Sequence, residues 1–119
     1  MLRVSAMKNE TEVDLQAVVG SEDSAAKHIP LGAELMKFAE CVAAHDAEQL
    51  ADIRATLVQK AGAAVLVDAA GVAANFQRMV RIADAIGIPV DDMESSLGKS
   101  VREAIDIKGF ASAANTLVP

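Results

Sequence analysis

From Ala61 to Pro89 the chain reads AGAAVLVDAAGVAANFQRMVRIADAIGIP, its longest apolar run and the only one with a polar pattern inside it. At about 100° per residue, Val65, Ala69, Val72, Phe76, Met79, Val80, Ala83 and Ile86 share one broad face, and such a face wants a core. The opposite side stays small and nearly uncharged through Val67, Ala70, Gly71 and Ala74, until Arg78 and Arg81. A helix apolar on both sides is a buried central helix. The pattern places it at about 63–86, with Gly87 free to take the left-handed terminal conformation and Pro89 unable to continue the helix.

The flanking elements follow the same logic. Pro30 suits a first helical turn, and Leu31, Leu35, Phe38 and Val42 recur at helical spacing, which predicts a helix from about Pro30 to Ala44. His45-Asp46 breaks it, with Asp46 as N-cap and Gln49 as its capping-box partner. In the next helix Leu50, Ile53, Leu57 and Val58 turn inward while Asp52, Arg54, Gln59 and Lys60 face water, up to a corner at Gly62. Connections this short make antiparallel neighbours. Beyond Pro89, Asp91-Asp92 is predicted to cap a fourth helix carrying Met93, Leu97, Val101, Ala104 and Ile105. Gly98 weakens that helix by roughly 1 kcal/mol relative to alanine. Lys108-Gly109 turns the chain, and Phe110 is the one large side chain expected to anchor the tail. No stretch alternates with the period of a strand.

The expectation is therefore an all-α fold, a small bundle of four to five helices around a buried central helix at about 63–86. A polar arm, 1–29, precedes the helical domain, 30–119. The arm has one apolar patch, at Val13, Leu15, Val18 and Val19, which predicts a helical turn or a short strand.

Composition changes this picture in one respect. Hydrophobic residues make up 52% of the 119, yet Trp and Tyr are absent and only three Phe are present. A core of Ala, Val, Leu, Ile and Met buries less area per residue, so a homo-oligomer, in the simplest case a dimer, is expected. It should bury the small-residue side of the central helix or the apolar patch near it. The net charge of −6 argues against nucleic acid, which selects clustered Lys and Arg. The run from Ala61 to Phe76 is too short for a membrane span and carries Asp68. One cysteine and no readable secretory signal point to a cytoplasmic protein.

Candidate chemistry is sparse. Cys41 and His45 are four residues apart, with Glu34 further back, so a reactive thiolate or a metal site is conceivable there; a buried small hydrophobe and a helix-terminal imidazole are the plainer reading. On one edge of the central helix, Asp68, Asn75 and Arg78 make a polar stripe with Gly71. It suits either a small-ligand pocket or a structural network, and Asp68 must be partnered or exposed, since burial alone would cost several kcal/mol. Arg81 and Asp84 have the spacing of a surface pair. His28 lies in the polar arm with nothing to support a ligand role. Asp91, Asp92 and Glu94 suit a helix N-terminus. No glycine-rich phosphate loop, nucleophile elbow or paired-carboxylate arrangement is present, and no cofactor is expected.

The string NFQRMVRIADAIGIP, preceded by VDAAGVAA, resembles the closing helix of the carboxymuconolactone decarboxylase and alkylhydroperoxidase D-like superfamily, and the tail KGFASAANT resembles short bacterial proteins distantly related to it. The likeness covers roughly Ala33 onward and implies a helical, obligately oligomeric fold. Active members of that group use Cys-x-x-Cys-x-x-x-His or a histidine-based decarboxylation site. Here Phe38-Ala39-Glu40-Cys41-Val42-Ala43-Ala44-His45 keeps the second half of that spacing, with Phe38 where the first cysteine would stand. A two-thiol cycle is then unavailable. The reading that results is a noncatalytic self-associating module. The alternatives are a thiol or histidine enzyme using Cys41 and His45, and a ligand-binding domain built on Asp68, Asn75 and Arg78.

Overall fold

The computed structural model describes residues 8, 14–21, 23–24, 29–89 and 95–115. Four α-helices run through them: α1 (Gly32–Ala44), α2 (Ala47–Ala61), α3 (Ala63–Ile86) and α4 (Ser96–Ala104), with 3-10 turns at Leu15–Val19, Ile107–Gly109 and Ala111–Asn115. Among the described residues there is no strand. The fold class is all-α.

Local chemistry sets most of the boundaries. Pro30 sits in the turn ahead of α1 rather than in its first helical turn: Gly32 N–H donates to Ile29 O at 2.9 Å, and Leu31 takes a left-handed φ of 58°. The helix ends at His45, also left-handed at φ 57°, whose N–H reaches the Cys41 and Val42 carbonyls. Asp46 then caps α2, accepting from Gln49 N–H at 3.0 Å, while the Gln49 amide donates back to the other Asp46 carboxylate oxygen at 2.6 Å. The reciprocal bond goes to the side chain and not to the Asp46 N–H that a capping box uses. Gly62 (φ 87°) and Gly87 (φ 63°) bracket α3, each in a backbone region that L side chains rarely adopt.

α1, α2 and α3 pack on one another, and the buried core is narrow. Phe38 and Cys41 of α1 and Leu57 of α2 are its buried hydrophobic residues. Lys60, near the end of α2, forms an ion pair with Glu34 in the first turn of α1, as antiparallel neighbours should.

α3 departs from expectation. It is the longest helix and touches both neighbours, but none of its residues is buried within the single chain. The edge that packs is formed by half-exposed Val65, Leu66, Ala69, Ala73, Gln77 and Ala83. Val72, Phe76, Met79, Val80 and Ile86, all on the face read as core, are exposed, with Phe76 at 57% and Ile86 at 69%. Length explains part of this: α3 has 24 residues against 15 in α2, so its last turns outrun the helix they would pack on.

α4 begins later than the aspartate pair implied. Ser95 is the cap, its Oγ accepting from Gly98 N–H at 3.0 Å. Asp91, Asp92, Met93 and Glu94 lie outside the described residues. Phe110 is 51% exposed, so the expected tail anchor is only half covered among the described residues. The arm instead meets α4 through Gln16, whose amide donates to Ala104 O at 2.7 Å. Its patch at Leu15–Val19 is a 3-10 turn, not a strand, and Val13 lies outside the described residues.

Candidate functional site

Cys41 is a free thiol facing the α1–α2 core and is 3% exposed. His45 is exposed and leaves α1 in a left-handed conformation, so the helical i, i+4 relation that would set it beside Cys41 ends at that residue. Its Nε2 lies 3.4 Å from Arg81 Nη2 on α3. Glu34 is occupied by Lys60, and that hydrogen bond holds its carboxyl below the ordinary value. The three side chains grouped by sequence spacing thus face three different environments.

The polar stripe of α3 divides as well. Arg78 Nη2 donates to Asn75 Oδ1 at 3.0 Å, and the Asn75 amide approaches Met79 Sδ at 3.8 Å. Asp68 is exposed and has no hydrogen-bond or ion partner among the described residues. Water solvates it, which removes the need for a partner. Arg81 turns to His45 and makes no ion pair with Asp84. Asp84 lines a shallow open depression with Phe110, Ala111, Ser112 and Asn115, too flat to enclose a ligand. His28 lies outside the described residues. Among the described residues no three His, Cys, Asp or Glu side chains are grouped to hold a metal ion, and no helix is long and apolar enough to cross a membrane.

No protein-family model, curated protein or solved structure matches the chain. What the surface itself offers is apolar area. Val72, Phe76, Met79, Val80, Ile82 and Ile86 are all more than half exposed on one helix. Scattered apolar residues on a protein surface are ordinary; a continuous set of six on one element is not. Sequence reading had all of these but Ile82 as core. The unequal length of the helices could have moved Met79, Val80 and Ile86 outward, since the 15 residues of α2 end short of them; Val72 and Phe76 lie within its span.

Proposed function

We propose that the protein is a noncatalytic helical module that associates with itself as a dimer through α3. The observation that carries this reading is the exposure of the apolar half of that helix, on a face whose pattern is that of a core. Association would give α3 the burial its sequence calls for, and would make it the central helix of the assembly. An isologous two-fold pair is the commonest closed solution. The single thiol suits a reducing, cytoplasmic setting. Catalysis through Cys41 and His45, as the resemblance to the decarboxylase and peroxidase group would have it, has less support: a thiol 3% exposed reaches neither solvent nor substrate without opening of the core.

Light scattering at micromolar concentration tests the reading directly, with a mass twice that of the 12.4 kDa chain expected. Phe76→Asp places a charge in the apolar face without touching the α1–α2 core, so it should give a monomer with unchanged helical circular dichroism. A wild-type chain that stays monomeric at these concentrations defeats the proposal.

A further inference from the structure

α3 carries an uninterrupted heptad. Val65, Val72, Met79 and Ile86 recur every seven residues, and Ala69, Phe76 and Ala83 stand four after the first three of these. Labelled as a coiled coil, Ala69, Phe76 and Ala83 are a positions and the other four are d positions. Within the chain, α1 and α2 cover the adjacent flank, where Leu66 and Ala73 are half-buried; of the seam itself Val65, Ala69 and Ala83 are half-buried, and Val72, Phe76, Met79 and Ile86 are exposed.

We infer that this seam pairs antiparallel with the same seam of a second copy, in the register that sets Phe76 against Met79 of the other chain; the inference rests on the self-association proposed above. Three observations favour it. First, size: in this register each a position meets a d position as Ala69 with Ile86, Phe76 with Met79 and Ala83 with Val72, so a small side chain faces a large one at both ends of the seam and Phe faces Met in the middle. A parallel pair would stack Phe76 on itself and Ala69 and Ala83 on themselves, leaving voids that a close-packed interface does not tolerate. Second, charge: Asp68, Arg78, Arg81 and Asp84 all lie off the a and d positions, so no ion is buried, and antiparallel helices also oppose their dipoles favourably. Third, exposure: Val72, Phe76, Met79 and Ile86 of the seam are each more than half exposed in the single chain, so the seam offers apolar area for a second copy to bury. Val80 and Ile82, both exposed beside the seam, would be covered at its margins.

The register is tested by disulfide trapping in a Cys41→Ala background. Val72→Cys and Ala83→Cys together should give a covalent dimer on non-reducing gels after mild oxidation with oxidised glutathione. Within one helix the two positions are roughly 16 Å apart, so no intrachain bond competes. Each single variant should give little covalent dimer, because its own copy lies at the same roughly 16 Å along the paired helices. Efficient trapping by Val72→Cys alone would mean a parallel pair and would overturn the inference. A dimeric mass with no trapping in the double variant would also overturn it while leaving self-association standing, whereas a monomeric unsubstituted chain would remove both. Gly71→Leu supplies a second reading: a Cβ at Gly71 meets nothing within 4 Å, and the residue lies outside the seam. Its dimer should persist, and dissociation would move the interface to the small-residue side of α3.

Discussion

His45 combines two roles that compete. As the terminal residue of α1 it holds φ 57°, a conformation that costs an L side chain about 1 kcal/mol, and its ring approaches Arg81 at 3.4 Å on the protein surface. An exposed contact of that kind contributes little, so the strain should dominate. His45→Gly is expected to stabilise the chain by about 0.5 to 1 kcal/mol, seen as a higher urea midpoint with an unchanged slope. A lower midpoint would mean that the bridge from α1 to Arg81 outweighs the strain. The helix-terminal position was legible in the sequence, as the break at His45-Asp46; the left-handed backbone and the contact with Arg81 were not. Four-residue spacing assigns His45 to the face of Cys41 only while the helix continues, and the helix stops at His45 itself. The Arg81 contact spans 36 positions, a distance over which helical periodicity says nothing. Asp68 illustrates the converse: the demand that it be partnered or exposed was sound, and the choice between the two depended on packing that the pattern does not contain.

At the scale of elements, boundaries read best where the backbone needs a particular residue. Gly62 and Gly87 at positive φ and Asp46 with its cap fix α2 and α3 to the expected residues, because few other side chains satisfy those positions. α4 reads less well, since Asp91, Asp92 and Ser95 are all competent caps by residue type; Ser95 caps the helix, and the aspartates lie outside the described residues. Gly98 changes meaning in the same helix. Sequence propensity marks it as a defect, yet a Cβ there would lie 2.6 Å from Ser95 Oγ and 2.9 Å from Arg102 Nη1. Alanine at this position would gain about 1 kcal/mol of propensity and displace a serine cap of similar worth. Gly98→Ala should therefore leave stability within about 0.5 kcal/mol of wild type, while the same change in a Ser95→Ala background should stabilise by about 1 kcal/mol. Thermal unfolding of the four members of this cycle measures the difference. Equal effects in both backgrounds would mean that the hydroxyl and the added methyl do not compete.

For the whole molecule, the arithmetic of burial decides what the fold can do alone. Among the described residues Phe38, Cys41 and Leu57 are the buried hydrophobic ones, a thin core, and the longest helix contributes none. Periodicity marked the apolar faces and could not say what would cover them; for α3 the neighbouring α2 ends short of its last turns, and half of the packing edge is alanine. If a second copy completes the core, folding and association are linked, and the apparent stability depends on chain concentration. The melting temperature should then rise measurably between 1 and 100 μM, by an amount set by mass action on the dimer, and Phe76→Asp should abolish that dependence along with part of the stability. Because the seam positions of α3 carry no charge, the same rise should survive 0.5 M sodium chloride, where an interface held by exposed ion pairs would weaken. A melting temperature independent of concentration would mean that unfolding is not coupled to dissociation of a dimer, and would count against a second copy completing the core.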